Sequence, residues 1–150
     1  MMDDKIKRDI MTRAGEMLDG DWHCSEALLA AVGEHYLKDV SPEMVRMSTP
    51  FAGGVGCTHA ELCGALTGGL MVIGGLYGRA EAGVNDDECQ KLAAEYRARF
   101  LKEFGTLKCQ DLKDNWVRRE GQESCRALVE RAAGVLMDVL GAQTETGFRR

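Results

Sequence analysis

Half of the glycines of this chain lie in one short stretch, and this stretch limits the possible folds more than any other feature. The chain has 150 residues and 18 glycines, nine of which lie between Gly53 and Gly78. Glycine costs a helix interior about 1 kcal/mol relative to alanine, so a glycine-rich helix needs a compensating close approach of another backbone or a bulky cofactor. We therefore expect a closely packed helix with Gly64 and Gly68, one turn apart, on its small face.

Apolar residues recur at helical spacing through most of the remaining chain, and no segment alternates as a strand would. The first three expected helices cover residues 4–18, 22–37 and 42–47. A long helix is expected to start at a Thr58–Glu61 capping box, and the next helix to be capped by residues 85–88 and to end at residue 104. The last expected helix runs from about residue 122 to Gly141. Residues 106–120 are expected to form the main irregular loop. The sequence thus predicts a single all-α domain over residues 1–150, a compact bundle of five or six helices around a glycine-rich central helix.

Composition and charge exclude several classes of function. Lys and Arg number 19 against 24 Asp and Glu, a net charge of -5, which lacks the positive field that nucleic-acid binding requires. The uncharged run from residue 62 to 78 contains six glycines, so a membrane span is not expected there. The first residues are acidic and lack the apolar core of a secretory signal, so we expect a cytoplasmic protein. No hydrolase or kinase motif is present.

Cysteine usage points to metal or redox chemistry. The six cysteines are Cys24, Cys57, Cys63, Cys89, Cys109 and Cys125, too few for a disulfide scaffold. Cys24, Cys63 and Cys125 each fall within the first turns of an expected helix, on its inward face. A helix N-terminus stabilises a thiolate, so we expect lowered thiol pKa values there. Cys109 falls in the expected loop, from which it can approach the others, and Cys89 continues an ordinary apolar stripe.

One motif carries a resemblance to a known family. Residues 63–68 read Cys-Gly-Ala-x-x-Gly, preceded by a glycine-rich segment and by Cys24, and followed by Cys109 and Cys125. This set resembles the C_GCAxxG_C_C family of redox-active proteins over nearly the whole chain. The resemblance implies a helical protein whose four cysteines are redox-active, and a similar module occurs in a multihaem cytochrome that holds an iron–sulfur cluster. Cys57 and Cys89 are additions in this chain.

Three chemical interpretations follow. In the first, the protein is an oxidoreductase or electron carrier serving an unidentified redox partner protein. Its iron–sulfur cluster is bound by Cys24, Cys63, Cys109 and Cys125, with Gly64 and Gly68 providing room. In the second, the same cysteines cycle between dithiol and disulfide without a metal. In the third, Cys57, His59 and Cys63 with a fourth ligand form a structural zinc site. Gly64 and Gly68 would also fit a helix contact between two copies in a homodimer.

Overall fold

The computed structural model describes residues 2–118, 120–121 and 124–145, and of residues 142–145 only the backbone. These residues form seven α-helices: α1 Asp4–Asp19, α2 Cys24–Tyr36, α3 Pro42–Ser48, α4 Gly64–Tyr77, α5 Asp87–Phe104, α6 Cys109–Asp111 and α7 Arg126–Glu145. A 3-10 turn, Thr49–Phe51, follows α3, and a π-helix, Leu112–Val117, continues α6. No strand occurs within the described ranges, so the all-α prediction is confirmed. The helices number seven rather than five or six.

Local residue chemistry sets several of the helix ends. The carboxylate of Asp3 accepts backbone N–H bonds at the start of α1, and Gly20 ends that helix. The Ser41 hydroxyl accepts an N–H at the start of α3. Helix α2 begins two residues later than expected, because the cap is His23, whose N–H donates to the Glu26 carboxylate at 2.8 Å. The ends of these helices are thus set by residues within one turn of them.

The expected helix start at Thr58 is wrong. Helix α4 begins at Gly64, and its N-cap is Cys63. The Thr58 hydroxyl donates instead to the carbonyl oxygens of Gly54 and Val55, at 3.0 and 2.8 Å, and so closes the turn that precedes it. The capping-box pattern at Thr58–Glu61 therefore belongs to a turn and not to a helix.

The chain after residue 105 also differs from the prediction. Much of the expected loop at 106–120 is helical, in α6 and the π-helix that follows. The last helix does not stop at Gly141 but continues to Glu145, and its expected start at residue 122 lies outside the described residues. A π-helix is rare, and π-helical segments occur frequently at functional sites.

The glycines of α4 allow the close packing that the sequence predicts. A Cβ added to Gly68 would lie 2.4 Å from the carbonyl oxygen of Ser25 in α2. A Cβ added to Gly69 would lie 2.5 Å from the ring of Tyr96 in α5, which is fully buried. Helix α4 packs against α2, α3, α5 and α7. Among the described helices, none is both long and apolar enough to cross a lipid bilayer.

Candidate redox site

A strained turn between α3 and α4 forms one wall of the candidate site. We call residues 53–59 the glycine turn. Positive φ angles occur at Gly53, Gly54, Val55, Gly56, Cys57 and His59, between 54° and 70°. This conformation costs an L-residue roughly 1–2 kcal/mol, and a β-branched residue such as Val55 rarely adopts it. Backbone strain of this kind is concentrated at functional sites.

Backbone hydrogen bonds join the segment after this turn to the segment before α6. The N–H of Cys63 donates to the Leu107 carbonyl at 2.8 Å, and the N–H of Cys109 donates to the Glu61 carbonyl at 3.0 Å. An isolated antiparallel bridge pairs the same two segments. Cys63 and Cys109, which are 46 positions apart in the sequence, are thereby held on adjacent, hydrogen-bonded backbone segments.

We call Cys24, Cys63, Cys109 and Cys125, the cysteines that carry the resemblance, the family cysteines. Three of them lie at the N-terminal end of a long helix, as the sequence predicts. Cys24 is the first residue of α2, Cys63 is the N-cap of α4, and Cys125 directly precedes α7. Cys109 opens the three-residue helix α6, so its position is set by the backbone pairing rather than by a long helix. Free N–H groups at a helix N-terminus favour negative charge.

The sulfur of Cys24 lies between α2, α4 and the glycine turn. The backbone at Gly53 and Ser25 lowers the pKa of this thiol, an effect that is smaller than that of burial. A Cβ added to Gly64 would lie 2.3 Å from this sulfur, so Cys24 contacts the residue directly after Cys63. Only glycine leaves room for the sulfur at this position. Gly68, in contrast, faces the backbone of α2 and not a cysteine.

The expectation that the thiol pKa values are lowered is wrong. Burial raises the pKa of Cys24, Cys63 and Cys125, and raises that of Cys109 to about 11. Backbone N–H groups oppose this effect at Cys24 and Cys63 but do not outweigh it. At Cys63, Cys109 and Cys125, the pKa is raised further by another of these four thiols. Cys63 is affected by Cys24 and Cys109, Cys109 by Cys24 and Cys125, and Cys125 by Cys24. The four thiols therefore lie close enough to interact electrostatically.

Metal ligation stays a prediction. Within the residues that the structure describes, no group of three or more His, Cys, Asp or Glu side chains is arranged so that it could hold a metal ion. This applies both to the four family cysteines and to the alternative set of Cys57, His59 and Cys63. The cysteines are free thiols, and ligation of a common centre by four of them would require their side chains to draw together.

Two interactions in this region were not visible in the sequence. Nδ1 of His59 lies 3.3 Å from the sulfur of Cys109, although the spacing of His59 suggested a partnership with its neighbours Cys57 and Cys63. Cys57 is exposed and acts electrostatically on Cys24 and Cys109. The glycine-rich segment was the available signal, but it does not reveal that residues 59–63 pair with residues 107–110. Cys89 lies on α5, and its pKa is raised by burial and by Asp86 rather than by any of the four family cysteines.

The fold and this site define an all-helical protein with a cysteine-based candidate redox centre. A family model described as "Putative redox-active protein (C_GCAxxG_C_C)" matches residues 22–139. The chain belongs to this family, and the matched range includes all four cysteines from Cys24 to Cys125. No curated protein and no solved structure matches the chain significantly.

Proposed function

We propose that the protein is an electron carrier or oxidoreductase whose redox centre is formed by Cys24, Cys63, Cys109 and Cys125, most concretely as the four ligands of an iron–sulfur cluster. The observation that carries this proposal is the approach of the helix starts that carry these cysteines: the Cys24 sulfur contacts Gly64, the residue after Cys63, and backbone hydrogen bonds pair the segments that contain Cys63 and Cys109. Cys63 and Cys109 are buried and Cys24 and Cys125 are partly buried, and the pKa of Cys125 is raised in part by Cys24. Four thiolates are the usual ligand complement of such a cluster.

The chemistry of the surroundings supports this ligand set. The backbone near the starts of α2 and α4 lowers the pKa of Cys24 and of Cys63, and backbone N–H groups near sulfur are known to stabilise cluster sulfur and to tune its potential. Gly64 presents no side chain toward Cys24. When bound, a cluster would supply one-electron transfer. The chain's own residues would bind it through sulfur, exclude water through burial, and balance negative charge with the N-termini of α2, α4 and α7.

The raised pKa values are compatible with ligation. A thiol that is buried without a cation favours the neutral form, whereas a coordinating thiol is deprotonated outright by the charge of the metal. Metal binding at this site therefore releases protons. A positive centre among the sulfurs would offset the cost of burying negative charge there.

Anaerobic purification with iron and acid-labile sulfide analysis tests the proposal. We expect the wild-type protein to be coloured and to contain both elements, and we expect Cys24→Ser and Cys63→Ser to lose them. Cys89→Ser is the matched control, because Cys89 lies apart from the four family cysteines, and it should retain both. Melting curves check that each variant is folded. A colourless wild-type protein that lacks iron and sulfide would refute the cluster.

A second candidate function is supported by the contact between the Cys24 sulfur and Gly64, which follows Cys63 in the chain. Cys24 and Cys63 would cycle between two thiols and one disulfide, giving up two electrons and two protons to an acceptor disulfide, which becomes two thiols. Thiol counts of unfolded protein, prepared with and without reductant, test this function. We expect two fewer free thiols without reductant, and equal counts would reject it.

A further inference from the structure

Cys57 is an exposed cysteine that the backbone holds in a fixed place beside the candidate redox site. The four family cysteines are buried or partly buried, whereas Cys57 is exposed. Its N–H donates to the Ala52 carbonyl at 3.0 Å, and the N–H of Gly56 donates to the Pro50 carbonyl at 2.8 Å. The φ angle of Cys57 is 54°, in the left-handed region. The glycine turn therefore presents this cysteine to solvent in a constrained position.

Cys24 lies close to the segment that enters the same turn. A Cβ added to Gly64 would lie 2.3 Å from the Cys24 sulfur and 3.3 Å from the carbonyl oxygen of Phe51. Two residues further along the chain, a Cβ added to Gly53 would lie 3.2 Å from the Cys57 sulfur. Burial raises the pKa of Cys24, the backbone at Gly53 lowers it, and Cys57 raises it further. An exposed thiol and a partly buried thiol thus border the same short piece of backbone.

We propose that Cys57 and Cys24 reduce a low-molecular-weight disulfide, with Cys57 as the attacking thiol and Cys24 as the resolving thiol. A disulfide in solution can reach an exposed sulfur, and attack at sulfur needs no extended docking surface. Cys24 is less accessible, but it has to react only with a sulfur that the turn already holds nearby. The inference goes beyond the proposed iron–sulfur centre and applies the thiol chemistry of the second candidate function to a different pair of cysteines.

The reaction consists of two thiol–disulfide exchanges. In the first, Cys57 gives up its proton and its sulfur attacks one sulfur of the substrate. A mixed disulfide forms, the substrate S–S bond breaks, and one thiol leaves with a proton. In the second, Cys24 gives up its proton and attacks the Cys57 sulfur, which breaks the mixed disulfide and releases the second thiol with a proton. Two cysteine thiols are oxidised to one disulfide, and the substrate disulfide is reduced to two thiols.

Anaerobic reaction with oxidised glutathione tests the inference. It is run on protein as purified and on protein treated with a chelator, so that a bound metal does not mask Cys24. Samples are quenched with acid, and peptide mass spectrometry identifies each disulfide. Cys57→Ser removes the attacking thiol and Cys24→Ser the resolving thiol, and each replaces one sulfur by oxygen. Cys89→Ser is the matched control, because Cys89 lies on α5 and not in the glycine turn. Melting curves check that the variants are folded.

We expect chelator-treated wild type and Cys89→Ser to form a disulfide between Cys24 and Cys57 and to release both halves of the substrate as glutathione. Cys24→Ser should stop at a mixed disulfide of Cys57 with glutathione. Cys57→Ser should release glutathione about tenfold more slowly than wild type, because the remaining thiols are less accessible.

Release at the wild-type rate by Cys57→Ser would overturn the inference, and so would release of both halves by Cys24→Ser. A disulfide between Cys24 and Cys63 in wild type would overturn it as well, and this result needs no variant. The iron and sulfide content of untreated wild type decides the proposed centre separately, so that either proposal can fail while the other holds.

Discussion

Replacing Gly64 by alanine tests whether the small first residue of α4 is required by the redox site. The added Cβ would lie 2.3 Å from the Cys24 sulfur, whereas ordinary contacts begin at 3.4 Å, so the sulfur must move by at least about 1 Å. Overpacking costs about 1–3 kcal/mol, and alanine returns up to about 1 kcal/mol of helix stability. We expect a net loss of about 0–2 kcal/mol of unfolding free energy.

The matched control is Gly74→Ala in the same helix, where an added Cβ meets no atom within 4 Å. This variant should gain about 0.5–1 kcal/mol in urea unfolding. Both variants are compared with wild type for unfolding free energy, for iron content and for the alkylation rate of Cys24. Peptide mass spectrometry measures this rate. We expect Gly64→Ala alone to lose iron and to expose Cys24 to faster alkylation. Wild-type iron content together with wild-type Cys24 reactivity in Gly64→Ala would contradict the role assigned to this glycine.

Three further predictions concern packing and pH. Gly68→Ala should destabilise the protein by about 1–3 kcal/mol in urea unfolding, because its Cβ would meet the backbone carbonyl of Ser25, which cannot rotate away; an unchanged midpoint would contradict this. Tyr96→Phe should cost about 1 kcal/mol in the same assay, because the buried hydroxyl donates to the Ala65 carbonyl at 3.1 Å; a neutral effect would show that this bond contributes nothing. In cluster-free protein, burial raises the pKa of Cys109 to about 11, so the folded state holds this proton more tightly than the unfolded state. Its contribution to stability should be complete below about pH 8.5 and lost as the pH rises through 11, and an equally steep alkaline loss in Cys109→Ala would refute this assignment.

Helices whose ends depend on neighbouring residues were predictable from the sequence. The expected start of α3 after Ser41 is confirmed, because the hydroxyl cap and the proline lie within one turn. The expected end of α5 at Phe104 is also confirmed, because Gly105 adopts a left-handed conformation with φ of 81°. Both signals act locally, so periodicity and capping residues were sufficient to locate these ends.

The start of α4 was not predictable in the same way. Thr58 and Glu61 match a capping box, but the segment that contains them pairs with residues 107–110, which no local pattern reveals. The same tertiary pairing lets Cys109 and His59 meet. Sequence spacing grouped His59 with Cys57 and Cys63, whereas its ring lies beside Cys109.

The sign of the thiol pKa shifts shows why local reasoning about the site falls short. A helix N-terminus favours a thiolate, and this argument needs only the position of Cys24 or Cys63 in its helix. Desolvation depends on how α2, α4 and α7 close over the sulfurs, and it is the larger effect at both cysteines. The backbone groups and the burial thus act on the thiol pKa values of Cys24 and Cys63 in opposite directions. In the proposed centre, a cation shared by the sulfurs would allow them to be deprotonated and would offset the cost of desolvation.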